Sequence, residues 1–235
     1  MELDLRRTLD VATSVGATLA RLGNGMAVAG AGKRPERPLA LYDYEACPYC
    51  RKVREALSIL DLDADVYPCP KGGPRFREEV RRRGGKAQFP YLVDPDTGAA
   101  MYESDDILRY LWARYGAGTV PWLLTLGPVT LAGSAVASGW RLGRGTRYRR
   151  ARTPAQPLEL WSFEASPFSR LARETLCELE LPYRLHNVAR GSAKREAFVA
   201  RSGKMMVPYL VDPNTGASMF ESADIVRYLN ATYAL

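Results

Sequence analysis

Leu39-Ala-Leu-Tyr-Asp-Tyr-Glu-Ala-Cys47-Pro48-Tyr49-Cys50-Arg51 recurs 119 positions later as Leu158-Glu-Leu-Trp-Ser-Phe-Glu-Ala-Ser166-Pro167-Phe168-Ser169-Arg170. Further on, residues 85–110 recur as 203–228, 118 positions later, with 18 of 26 residues identical. A match of that length is a tandem duplication with a one-residue deletion in the second copy. The duplication is an internal control. What both copies retain points to fold and ligand binding. What differs, two thiols against two hydroxyls, points to reaction chemistry.

The 235 residues allow one large domain or two small ones, and the repeat decides for two units of about 80 residues. The expected organisation is an N-terminal helix and lead-in (1–37), a first unit (38–116), an apolar then Arg-rich linker (117–156) and a second unit (157–235). Residues 1–31 read as helix, with Leu3, Leu5, Leu9, Ala12, Val15, Leu19 and Leu22 at three- and four-residue steps and Gly23-Asn24-Gly25 as the stop. Unit one reads as a strand (39–44), the Cys47–Cys50 loop, a helix (about 49–60), a strand (65–69) and a charged helix (75–83). A hairpin (89–94 and 99–102, joined by Pro95-Asp96-Thr97-Gly98) and a helix with Ser104 as expected N-cap complete it. The order is βαβαββα, an α/β unit, and the second unit repeats it.

The net charge of +7 comes mainly from Arg, and no nucleic-acid recognition motif accompanies it. Four cysteines (47, 50, 69 and 177) are too few and wrongly spaced for a secreted disulfide framework. With His186 the only histidine, no second ligand pair exists for zinc, and no metal is expected. His186 reads as a structural residue of a strand over 183–188. The opening Met-Glu-Leu-Asp-Leu-Arg-Arg lacks the apolar stretch of a signal peptide, so a cytoplasmic protein is expected. Tyr115 to Trp140 carries no charge and is followed by Arg141, Arg144, Arg147, Arg149, Arg150 and Arg152. Its length suits a membrane span. Pro121, Pro128 and five glycines favour instead a buried helix packed on the N-terminal helix and both units, with peripheral membrane contact as a further alternative. Trp122 and Trp140 read as packing residues.

Cys47-Pro48-Tyr49-Cys50 falls where a strand gives way to a helix N-terminus. Unpaired N–H groups there favour an anion, so Cys47 is expected to be a thiolate near neutrality. Cys50, one turn further on, can close a disulfide with it. An attacking thiolate and a resolving thiol are the minimum apparatus of thiol–disulfide exchange. A structural pair without turnover is the plainer alternative.

This motif resembles the active site of glutaredoxins, and Phe89-Pro90 with Glu103-Ser104 resembles the N-terminal domain of glutathione S-transferases. Both families share the thioredoxin fold, so the resemblance implies two tandem thioredoxin-fold domains. It implies a cis peptide before Pro90, backbone groups of Phe89 for the cysteinyl part of glutathione, and Glu103 and Ser104 for its γ-glutamyl end, with Tyr49 helping to orient it. A helix N-terminus suits the glutamyl carboxylate and Glu its ammonium. In unit two, Ser166, Val207, Pro208, Glu221 and Ser222 form a possible second site. The whole chain over about 38–235 is similar to a little-characterised tandem family of plants and bacteria. Two departures stand out. Within these residues no all-helical C-terminal domain is expected, and Ser169 stands where a resolving cysteine is expected.

Lys71, Arg190, Lys86 and Lys204 are candidates for the glycyl carboxylate, with a solvated charge as the plainer reading. Cys69 reads as a half-buried spectator or a third redox thiol, and Cys177, aligned with Ser58, as core. The expected function is a glutathione-dependent thiol–disulfide oxidoreductase that acts on a disulfide or glutathionylated protein, with unit two redox-inactive. Glutathione is its co-substrate. The alternatives are a glutathione transferase-like conjugating enzyme and a non-catalytic glutathione-binding or redox-sensing scaffold.

Overall fold

The computed structural model describes residues 2–19, 23–125 and 143–235. Helix α1 (Glu2–Leu19) leads into β1 (Leu39–Asp43), α2 (Pro48–Ile59), β2 (Ala64–Pro68), α3 (Phe76–Gly84), β3 (Tyr91–Asp94), β4 (Ala99–Met101) and α4 (Ser104–Tyr115). A short α5 (Trp122–Thr125) follows. The second copy runs β5 (Leu158–Ser162), α6 (Pro167–Glu178), β6 (Tyr183–Asn187), α7 (Arg195–Ser202), β7 (Tyr209–Asp212), β8 (Ala217–Met219) and α8 (Ser222–Tyr233). In each unit a parallel strand pair is extended by an antiparallel hairpin. Asp94 locks the first hairpin to α4 by accepting from the Tyr110 and Tyr115 hydroxyls, and Asp212 does the same with Tyr228 and Tyr233.

The two units form one sheet. β2 pairs antiparallel with β6, giving the order β4-β3-β1-β2-β6-β5-β7-β8. Facing residues Asp65 and Arg184 are ion-paired across this seam at 2.7 Å, an opposite-charge cross-strand pair. One apolar cluster runs through both units, from Leu41, Leu57 and Val66 to Leu160, Leu176 and Leu185.

Pro48 and Pro167 sit in the first turns of α2 and α6, where a missing N–H costs nothing. In α2 every residue from Cys50 to Ile59 is buried, including Arg51, Lys52, Arg54 and Glu55. Buried charges need partners. Lys52 pairs with Asp105 and Arg54 with Asp43 inside unit one, and across the seam Arg54 Nε lies 3.0 Å from Glu164 Oε2, as Arg173 Nε of unit two lies 3.1 Å from Glu45 Oε2.

Several expectations are corrected. The leading helix ends at Leu19, because Gly23 and Gly25 take positive φ, and residues 26–31 form an extended strap instead of helix. That strap belongs to the repeat: Ala27 bridges Arg190 of unit two and Ala31 bridges Gly116, while Ala151 bridges Ala234 and Lys71 of unit one bridges Arg147. Gly25 and Gly145 make the straps possible, since a Cβ at Gly145 would sit 2.7 Å from Glu45 Cβ, and one at Gly25 would sit 3.1 Å from Glu164 Cβ. Ser104 is not an N-cap but the first helical residue. Glu103 precedes it at φ 63°, and Glu221 repeats that geometry before Ser222. Trp122 is 67% exposed and so is not a packing residue. Cys69 is fully buried, not half-buried. The core of the expected apolar linker helix, residues 126–142 with Trp140, lies outside the described residues. No helix among the described residues is long and apolar enough to cross a membrane.

Candidate functional site

β1 delivers the chain to Tyr44-Glu45-Ala46, and Cys47 caps α2 with extended backbone at φ −75°, ψ 123°. The Cys50 N–H donates to Cys47 Sγ at 3.3 Å. Cys47 therefore holds the position where the free N–H groups of a helix start meet an anion. Its thiol is held below the ordinary range. The largest cause is a hydrogen bond from the Cys50 thiol, reinforced by the Cys50 N–H and the Arg54 charge against burial and the Asp43 carboxylate. Cys50 is pushed well above its ordinary range by burial and by donating to Cys47. The two thiols are thus shifted in opposite directions. Both thiols are buried, and Tyr49 is the exposed member of the motif.

The Phe89–Pro90 and Val207–Pro208 peptides are both cis. Tyr44 meets Phe89 edge to face, with ring centroids 6.2 Å apart, which sets the Cys47 turn beside the cis proline. Gln88 Nε2 donates to Glu103 Oε1 and draws Glu103 to the same loop. The Lys52–Asp105 ion pair ties the start of α4 to α2. Glu103 is exposed and Ser104 buried. Cys47, Phe89, Pro90, Glu103 and Ser104 thus gather at one end of unit one, with the exposed ring of Tyr49 at the first turn of α2.

Unit two keeps the frame without the chemistry. Ser166 Oγ accepts from Ser169 N–H at 3.2 Å, the counterpart of the Cys47 contact. Pro208 and Ser222 are buried and Glu221 is exposed, as in unit one. Ser14 donates to Pro167 O and Thr18 to Ala165 O, so α1 packs against this end of α6. Phe163 and Met206 stand where unit one has Tyr44 and Gln88.

Lys86 Nζ stacks 4.8 Å above the Tyr102 ring and Lys204 Nζ 4.5 Å above Phe220, so these charges face aromatic rings. Lys71 and Arg190 are exposed and lie on the strap bridges. The Cys69 thiol lies next to Tyr67 O at 3.3 Å and is pushed well above its ordinary range by burial. Cys177 donates to Gly145 O at 3.1 Å and accepts from Glu45 N–H at 3.4 Å. Ser58 likewise accepts from Glu164 N–H at 3.0 Å. His186 stacks on Trp161 between Asp63 and Glu159. No group among the described residues has three or more ligands placed for a metal.

Sequence reasoning missed Asp43, Tyr44, Gln88 and Arg77, whose guanidinium lies 4.6 Å from the Phe89 ring. For the first three a signal existed, because each changes between the copies (to Ser162, Phe163 and Met206).

Parallel and antiparallel strands in this order, a helix capped by the first motif residue and a cis proline facing it define two tandem thioredoxin-fold units. The sequence model of the glutathione S-transferase N-terminal domain matches residues 41–134 and again 160–235, and the chain belongs to that family. Among solved structures it is similar to the Bombyx mori glutathione transferase BmGSTD1, at 27% identity over 36% of this chain and 38% of that one, with a TM-score of 0.32. The same transferase in complex with GTT gives 27% identity over 36% of this chain and 39% of that one, with a TM-score of 0.33. The trimeric Leishmania glutathione transferase TDR1 is 15% identical over 85% of this chain and 67% of its own, with a TM-score of 0.27. The chain thus spans well under half the length of the silkworm transferase. No curated protein matches it.

Proposed function

We propose that the chain is a glutathione-dependent thiol–disulfide oxidoreductase of the glutaredoxin type. The observation that carries this reading is the opposite polarisation of two thiols at one helix start: Cys47 lowered and Cys50 raised. The Cys47 thiolate attacks a disulfide or a glutathionylated protein, releases one thiolate and forms a mixed disulfide. Cys50 or a second glutathione then releases the other half. The Phe89 backbone beside the cis Pro90, with Glu103, Ser104 and Tyr49, orients glutathione. Unit two supplies no thiol at the matching positions and serves the active unit through the shared sheet and the buried ion pairs. Reduction of a glutathionylated substrate by glutathione tests the reading. Turnover is expected from wild type and its loss from Cys47→Ser. No turnover in wild type defeats the proposal.

A second reading, conjugation of glutathione to an electrophile, is favoured by membership of the transferase domain family and by Ser166, whose hydroxyl caps α6. Conjugation of an aryl halide that persists in Cys47→Ser and disappears in Ser166→Ala would select it.

A further inference from the structure

Helix α1 is packed inside out. Over residues 8–19 it buries its hydroxyls and turns its apolar side chains outward. Ser14 is 0% and Thr18 8% exposed, while Leu9 is 56%, Val15 37% and Leu19 68% exposed. The contacts account for the buried side. Ser14 Oγ donates to Pro167 O at 2.7 Å, Thr18 Oγ1 donates to Ala165 O at 3.0 Å, and Arg170 Nη1 donates to Ser14 O at 2.7 Å. Polar bonds therefore seat α1 on the start of α6. A helix that covers a soluble core does the reverse, burying its apolar residues and wetting its polar ones.

The outward face is continuous. Thr8, Ala12, Val15 and Leu19 are all exposed and follow one another at steps of four, three and four residues, one stripe of a helix, with Leu9 at its edge. It carries no charge. The only charged residue between 8 and 19 is Asp10, which is half-buried and paired with Arg144 at 2.8 Å.

Arg144 brings a basic strap to the side of this helix. Residues 141–152 hold six arginines and no acid, against a net charge of +7 for the whole chain. Arg144, Arg147, Arg149, Arg150 and Arg152 are all exposed. The bridges from Lys71 to Arg147 and from Ala151 to Ala234 fix the strap by its main chain, which leaves these guanidinium groups on the surface. An uncharged apolar helix face beside a band of arginines suits an anionic lipid surface, where apolar side chains enter the acyl boundary and cations meet the headgroups. A two-fold pairing of copies through the same face would bring two basic straps together, which like charge opposes.

We propose that α1 docks on an anionic lipid bilayer, with Leu9, Val15 and Leu19 in the acyl boundary and the exposed arginines of the strap at the headgroups. The helix lies in the plane of the interface and does not span it. Docking holds the dithiol unit at a membrane surface and is independent of the chemistry at Cys47.

The test is co-sedimentation of the full chain with vesicles of phosphatidylcholine alone and of an equimolar mixture of phosphatidylcholine and phosphatidylglycerol. Binding to the mixed vesicles is expected, with little on phosphatidylcholine alone, and it should fall as the ionic strength is raised to about 0.5 M. Leu9→Glu, Val15→Glu and Leu19→Glu together are expected to lower the partition coefficient by about a hundredfold or more. These positions are exposed and Glu is a good helix former, so the melting curve should hold. Arg147→Gln with Arg150→Gln is expected to lower it roughly 25-fold, about fivefold for each arginine. A wild type that stays in the supernatant with the mixed vesicles overturns the proposal. So does binding that survives the three Glu substitutions in a folded chain, or binding that salt and the two Gln substitutions leave unchanged. A chain that is dimeric without lipid and made monomeric by the Glu substitutions also overturns it, because the face then belongs to a second copy.

Discussion

Arg54 of unit one and Glu164 of unit two meet in the protein interior at 3.0 Å, and Arg173 and Glu45 repeat the contact at 3.1 Å in the opposite sense. Arg54 also holds Asp43 and lowers Cys47. The electrostatics of the dithiol are thus completed by a residue from the copy that lacks the dithiol.

Removal of Glu164 leaves its arginines buried without it. Glu164→Ala is expected to cost about 3–5 kcal/mol, read by urea unfolding, because an uncompensated buried charge remains. A cost below about 1 kcal/mol, the range of an exposed pair, would show that the cluster is open to solvent.

Acid should release the same contact. Burial alone would raise Glu164, but Arg173, Arg54, Arg51 and Arg170 overcome it and hold the carboxyl down to about 2. Its folded value lies below its unfolded one, so its contribution is fully present above about pH 4.5 and is lost as pH falls towards 2. The stability difference between wild type and Glu164→Gln is expected to narrow by on the order of 3 kcal/mol across that window. A constant difference would contradict the lowered value.

The Cys47 thiol should titrate below the ~8.5 of a free cysteine. Its alkylation by iodoacetamide, mapped by mass, is expected to show a depressed midpoint in wild type that rises in Cys50→Ala, which deletes the strongest donor. The midpoint, not the absolute rate, is the measure, because Cys47 is only 2% exposed.

Gly145→Ala should destabilise the chain by about 2–3 kcal/mol, since it adds backbone strain at φ 71° and a clash with Glu45 Cβ at 2.7 Å. Gly216→Ala, at φ 77° with open space around it, bears the strain alone and should cost about 1–2 kcal/mol. Equal melting temperatures for the two variants would remove the strap turn as a packing determinant.

Heating should produce one transition reported alike by tryptophan fluorescence and far-UV circular dichroism. The sheet, the apolar cluster and the buried charges all run through both units. Two separated transitions would mean that the units unfold independently.

The repeated Pro-bearing motif, the turn at Pro95-Asp96-Thr97-Gly98 and the alternation of strands and helices were legible because they are local. A proline admits one backbone position in a helix start, and a cysteine before it meets free N–H groups whatever surrounds it. The strap repeat was written in Arg21-Leu22-Gly23-Asn24-Gly25 and Arg141-Leu142-Gly143-Arg144-Gly145, but so short a match is hidden between diverged flanks. Ser104 looked like a cap because Ser so often is one. The Glu103 backbone at φ 63° displaces it into the first turn.

By itself, the sequence determined two repeated βαβαββα units and a cysteine pair at a helix start, since periodicity, turn chemistry and a helix terminus act within a few residues. Only the tertiary structure decided that β2 and β6 fuse them into one sheet and that Arg51, Arg54, Arg170 and Arg173 are buried. A charged residue on a helix reads as solvent-facing until its partner is known. Here the partners lie more than a hundred residues away along the chain.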